Sequence, residues 1–217
     1  KIFIESCCLF MISRRKKGFG TYEMLTICVV LLIIFVVLLA NVFKTDYTEK
    51  YRVMRYNAKM FSLSVDSVRL DDDSNSVFYL KMLIDQKLSS KIKNPFQGDK
   101  FCNSYFSKVE IKDNHRYVTL ECGNYLIYQQ DSLKSPYTIY QVSNWSLKKG
   151  SSDNQSVIFY NYQRDGVDVF DQFLEEDIFL YEFNKMNHTE YQNISEIPDE
   201  YSIVKTTMYR YMKKLSN

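Results

Sequence analysis

Arg14-Arg15-Lys16-Lys17-Gly18-Phe19-Gly20-Thr21-Tyr22-Glu23 leads straight into MLTICVVLLIIFVVLLANVF at residues 24–43. Four cations in a row, one acid and then a run without any charge define a boundary between water and hydrocarbon. About 20 helical residues rise roughly 30 Å, the thickness of a bilayer's hydrocarbon core. Only Thr26 and Asn41 in the run are clearly polar. A secretory signal peptide would have a shorter apolar region ending in small residues, and Ala40-Asn41-Val42 is a poor cleavage site. The cations at 14–17 precede the span, whereas Lys44, Asp46, Glu49 and Lys50 of mixed sign follow it. The positive-inside rule then places the N-terminus in the cytoplasm and the rest of the chain outside. The first Met is Met11, so residues 1–10, with Cys7 and Cys8, are set aside from fold reasoning.

This boundary resembles the class III signal of type IV prepilins and type II secretion pseudopilins. In that family a short basic leader ends in Gly. A prepilin peptidase cuts after it, the exposed Phe is N-methylated, and a Glu stands at the fifth mature position before a long apolar helix. The resemblance assigns cleavage after Gly18, the new N-terminus to Phe19 and the fifth position to Glu23. It further implies that the Glu23 carboxylate pairs with the terminal amine of a neighbouring subunit and so sets the stagger of the assembly. Physical chemistry fits each part: Gly18 offers a flexible small residue at the cut, and an acid at the mouth of an apolar helix is costly unless paired. The bare alternative for Glu23 is a side chain reaching the headgroup layer with no assembly role. Gly20 and Tyr22 replace the Thr and Ile common at the second and fourth mature positions, and Ala40 stands where many pilins carry a Pro.

Past the span, Tyr47, Tyr51, Met54, Ala58, Phe61, Val65 and Val68 recur at spacings of four and three, with Lys50, Arg52, Arg55, Lys59 and Asp66 off the stripe. No Pro or Gly interrupts residues 21–68. The pattern predicts one long helix over residues 19–70, a membrane half with its span at 24–43 followed by an amphipathic half, ending near Asp71-Asp72-Asp73. A dimeric coiled coil is the alternative reading of the same stripe.

Residues 71–217 read as an extracytoplasmic head. A second helix is expected at 77–88, with Asp73 or Ser74 as its cap. Residues 93–98 form a loop whose Asn94-Pro95-Phe96 resembles a turn in some Gram-positive pilin-like proteins. A hairpin is expected from 108–112 and 117–121 about an Asp113-Asn114 turn, with further strands at 125–128, 137–142 and 157–162. Asp165-Gly166 is a hairpin turn signal. Residues 167–183 read as helix or strand. The segment 197–215 reads as a helix with Val204, Met208, Tyr211 and Leu215 on one face and Pro198 near its start. The expected fold is α+β, a long N-terminal helix packed against a globular head with an antiparallel β-sheet.

Cys102 and Cys122 are candidates for a disulfide outside the cytoplasm, or for two small core residues. Closing a loop of that size contributes about 3 kcal/mol. Cys28 falls in the span as inert packing. The chain has two histidines, His115 and His188, no Cys-x-x-Cys and no phosphate-binding Gly-rich loop, so no catalytic residue, metal site or cofactor is expected. Glu175-Glu176-Asp177 reads as a solvated face. Asp71-Asp72-Asp73 lacks the alternating ligands and Gly of a calcium loop. Asn144, Asn154, Asn187 and Asn193 each start an Asn-x-Ser/Thr match, a pattern that arises by chance. A net charge of +2 gives no electrostatic footprint for nucleic acid.

The resulting expectation is a non-enzymatic filament subunit of a type IV pilus, a type II secretion pseudopilus or a competence-type pilus. Its partners would be the membrane, like subunits, a prepilin peptidase and an assembly platform protein, with DNA only in a competence system. It would sit in the cytoplasmic membrane, head outside, and reach a cell-surface filament on assembly. The alternative is a single-pass membrane-anchored binding or sensor domain with no filament role.

Overall fold

The structure is a computed structural model that describes residues 20–68, 75–113, 115–129 and 137–215. It is α+β, with an N-terminal apolar helix and a head built on antiparallel sheets. The chain divides into two compact units, Lys1–Thr48 and Glu49–Asn217.

Helix α1 covers Thr21–Ser64. Its start is capped from within, because the Gly20 N–H donates to Glu23 Oε2 at 3.1 Å. That is the carboxylate half of a capping box. The Thr26 hydroxyl donates back to Tyr22 O at 3.0 Å, which keeps this polar group satisfied in an apolar stretch. In the first unit, Thr21–Ala40 is long and apolar enough to cross a membrane, with a mean hydropathy of 3.0 and none of it buried. In the second unit the helix is two-faced. Met54, Ala58 and Phe61 are buried, as is Val65 just past its end, whereas Val53, Tyr56, Met60 and Leu63 are exposed. The helix ends where the Ser64 hydroxyl bonds Phe61 O at 2.7 Å and a short 3-10 turn, Val65–Ser67, follows.

A six-stranded antiparallel sheet is ordered β1 (Asn75–Tyr79), β2 (Lys108–Lys112), β3 (His115–Cys122), β4 (Tyr125–Gln129), β5 (Thr138–Val142) and β9 (Met212–Lys214). The expected β2–β3 hairpin is formed, and its register sets Val109 opposite Val118. Alternation gives the sheet two faces. Val109, Ile111, Val118, Leu120, Ile127 and Ile139 form one core with Met54, Ala58 and Phe61 of α1 and Val65 of the turn that follows it. Tyr51, Phe96 and Tyr125 seal its margin, the last two rings stacked at 3.8 Å. The other face carries Tyr79, Lys108, Glu110, Thr119 and Glu121, with Tyr79 opposite Lys108 and Lys108 opposite Thr119.

A second, three-stranded sheet is ordered β7 (Val167–Asp168), β6 (Gln155–Arg164) and β8 (Ser202–Arg210). It packs with helix α3 (Glu176–Asn187) around an aromatic core of Tyr79, Tyr160, Tyr162, Phe179 and Phe183. Asp165 and Gly166 both have positive φ, 55° and 77°, as a two-residue hairpin turn between β6 and β7 requires.

Two expected helices are corrected. Residues 77–88 hold the end of β1 and a short helix, α2 (Leu80–Asp85). The helical spacing of Val77, Leu80, Ile84 and Leu88 passed over Phe78 and Tyr79, which the sheet buries on opposite faces. Residues 197–215 hold β8 and β9 instead of a helix. Val204 and Met208 are four apart, a spacing that a strand satisfies as well as a helix. The β-branched and aromatic residues around them favour the strand. Register with β6 runs unbroken from Gln155–Arg210 to Gln163–Ser202. The ambiguous 167–183 stretch divides into β7, a connecting segment and the first part of α3.

The two faces of α1 in the head give a direct test. Phe61→Ala is expected to lower stability by about 3–5 kcal/mol through lost burial and a residual cavity. Met60→Ala, one residue away on the exposed face, is expected to stay within about 0.5 kcal/mol. Urea unfolding of the two variants should separate them cleanly.

Candidate functional site

Of the residues singled out at the N-terminus, Gly18 and Phe19 lie outside the described residues. Glu23 occupies the first turn of α1, its carboxylate turned back on the Gly20 N–H. The apolar side chains from Leu25 to Leu39 are exposed along the helix, and Cys28 is a free thiol among them. Among the described residues of this unit, none covers that surface. Such a helix could serve as a membrane anchor or a signal sequence.

In the head, Cys102 and Cys122 are joined in a disulfide. The bridge fastens the segment before β2 to the last residue of β3, and the Asn103 N–H beside it donates to Glu121 O at 2.7 Å. The Asp71-Asp72-Asp73 cluster lies outside the described residues. Three of the sequon asparagines are spoken for by the fold. Asn154 donates to Met212 O, Asn187 to Phe183 O and Asn193 to Glu196 Oε1.

The sequence missed the head's polar interior. Glu175, expected on a solvated face, is corrected: its Oε2 accepts from Lys108 Nζ at 2.6 Å and from the Tyr79 hydroxyl at 3.2 Å. Glu110 completes this group at 3.5 Å from Lys108 Nζ. Burial draws the Lys108 ammonium down, but Glu175 and Glu110 outweigh it and hold its pKa above the ordinary value. Burial, reinforced by Glu175, pushes the Tyr79 hydroxyl well above its ordinary range. Across the same face, Arg210 at the end of β8 donates to Glu121 on β3 and to Gln155 on β6, both at 2.5 Å. Its guanidinium lies 4.2 Å from the Trp145 ring centroid. Burial raises the Glu121 carboxyl, with Arg210 opposing. These groups were hidden in the sequence because alternation along β2 and β3 places their charges beneath a second sheet. Among the described residues, no three His, Cys, Asp or Glu side chains converge as a metal site would require.

Two cavities flank the Phe106–Trp145 pair. One of about 180 Å³ lies over Lys108, Glu110, Glu175 and Arg210. The other, of about 370 Å³, lies by Asn144, Asp171, Gln172 and Phe173. Trp145 makes edge contacts with Phe159 and Phe106, at centroid distances of 4.9 Å and 6.4 Å.

A third charged group clasps α2 to α3. Asp85 accepts from Lys81 and Lys185, each at 2.6 Å, and from the Tyr181 hydroxyl at 3.3 Å. Burial alone would raise the Asp85 carboxyl, but its hydrogen bonds with Lys185 and Lys81 outweigh this and hold it below the usual carboxylate range. Burial and Asp85 together push the Tyr181 hydroxyl up to about 12. Since the folded-state value of Asp85 is depressed, its contribution is full above the unfolded carboxylate pKa, about 3.9, and is lost as pH falls through the lower folded value. Asp85→Asn removes that dependence. Thermal unfolding between about pH 5 and pH 2 should show the parent losing its advantage over the variant as acid is added.

Comparison of the chain with protein-family models, with curated proteins and with solved structures gave no match.

Proposed function

We propose that this chain is a pilin-like structural subunit of a type IV pilus, type II secretion or competence-type filament, processed by a prepilin peptidase. One observation carries the reading. A lone carboxylate, Glu23, stands in the first turn of an apolar helix that no other described residue of its unit covers, four residues after Phe19 in a stretch that begins with a tetrabasic run and Gly18. The exposed Val53, Tyr56, Met60 and Leu63 support it, since they are apolar side chains of the same helix left uncovered by the head.

On this reading the leader holds the N-terminus at the cytoplasmic face until cleavage after Gly18 frees the Phe19 amine. Glu23 is already turned toward the N–H of Gly20, the residue that follows the proposed new N-terminus in sequence. Pairing with the amine of a neighbouring subunit offsets the cost of taking both charges out of water. It also selects one axial stagger, because any other leaves both ions unpaired. Apolar helices then replace lipid with one another, and the heads lie outside. No nucleotide chemistry is assigned to this subunit. The partners are like subunits, the peptidase and an assembly platform.

The cavities in the head favour a second reading, a membrane-anchored binding domain that never assembles. Processing separates the two. Co-expression with a prepilin peptidase is expected to shorten the chain by its leader, and Gly18→Val to prevent the shortening. Glu23→Ala is expected to insert and be processed normally but to form few or no filaments. An unshortened parent chain favours the anchored domain, and normal filaments from the Glu23 variant remove the proposed pairing.

A further inference from the structure

We infer that the cleft beside Trp145 is a binding site for an uncharged, hydroxyl-rich ligand, a neutral sugar. At about 370 Å³ it falls at the lower end of the range of small-molecule sites, about 300–1,000 Å³. Three rings, Phe106, Trp145 and Phe173, frame it with the polar side chains of Asn144, Asp171 and Gln172, while its other uncharged polar lining residues, Asn103 and Ser143, are already hydrogen-bonded within the fold. Rings and polar groups lining one cleft suit a molecule with both C–H faces and hydroxyls.

The charge balance narrows the class. Glu121 also lines the cleft, but Arg210 neutralises it. Asp171 is then the remaining formal charge, and no lining residue is a cation. A phosphate or carboxylate would face Asp171 without a partner, which disfavours anions. A cation could use the rings and Asp171, but one face of Trp145 already lies against the Arg210 guanidinium. A second positive charge in the cleft would have to share that ring with Arg210 and would leave two amide side chains without a matched role. Hydroxyls, which donate and accept, complement Asn144 and Gln172, which do the same, and Asp171, which accepts. Among the described residues none of these three side chains makes a hydrogen bond, so all are available without breaking one. Asn144 and Asp171 are exposed and Gln172 half-buried at the cleft's edge. The Trp145 indole N–H is buried and has no acceptor among the described residues. The ring is therefore held by stacking and packing, and it forfeits no hydrogen bond when it adjusts toward a ligand oxygen.

The inference stands apart from the filament reading, because it concerns the head alone and leaves processing untouched. It also comes with its own reporter, since Trp145 is the single tryptophan of the chain. The full-length protein in lauryldimethylamine oxide micelles, a detergent without sugar, would be titrated with glucose, galactose and N-acetylglucosamine. Glucuronate and choline serve as the charged arms. At least one neutral sugar is expected to shift Trp145 emission saturably, with half-saturation below about 100 mM, and more tightly than either charged probe. Asp171→Ala/Gln172→Ala, at the cleft's edge, is expected to weaken that binding by about tenfold while the far-ultraviolet circular dichroism stays unchanged. The inference is overturned if no neutral sugar saturates, if choline or glucuronate binds more tightly, or if the folded double variant binds as the parent does.

Discussion

The apolar side chains of Thr21–Ala40 favour leaving water, and among the described residues of their own unit none takes them out of it. A helix is the form that allows this, since it satisfies its backbone hydrogen bonds within itself while presenting only hydrocarbon to its surroundings. The capping of Gly20 by Glu23 closes one of the donors left open at its start. Further along, in the second unit, α1 has a different partner: Met54, Ala58 and Phe61, with Val65 just past its end, are buried against a sheet, each such side chain contributing roughly 1.5–3 kcal/mol except the small Ala. One helix thus meets two environments, and the change of residue pattern marks the change of solvent. The filament proposal follows from that need, because both lipid and neighbouring helices can provide the cover.

The head solves a separate problem. Its larger sheet has an apolar face, used by α1, and a charged face beneath the smaller sheet. Burying Lys108, Glu121 and Arg210 carries a desolvation cost that close pairing must offset, and such pairs contribute more to uniqueness of geometry than to net stability. Arg210 illustrates this. It is bound to β3 through Glu121 and to β6 through Gln155, and it supports the Trp145 ring. Replacing it would unsettle the junction of the two sheets and the wall of both cavities together. The Cys102–Cys122 bridge lies just behind Glu121 and restrains the same corner.

Elements whose signal was local and of a single period could be read directly. The uninterrupted stripe in α1, the hairpin that begins at 108–112 and the Asp165-Gly166 turn are such cases. Where two periods coincide, the reading failed. Residues four apart share a face in both a helix and a strand, and Val204 and Met208 were assigned to the wrong one. At 77–79, burial on both faces of an edge strand mimicked a helix start. The paired charges were illegible for another reason: Glu121 and Arg210 are brought together by sheet packing, not by spacing along the chain. Glu175 looked like one of three neighbouring surface acids until Lys108 and Tyr79 met it from another strand each. The proposed N-terminal signal, by contrast, would be linear by nature, since a peptidase would read it along the chain.

Its most direct test is the mass of the native protein's N-terminal peptide, taken from a cell that has the processing enzyme. The account predicts a chain that begins at an N-methylated Phe19, with everything through Gly18 gone. A native chain that retains residues upstream of Phe19 in that setting would contradict it.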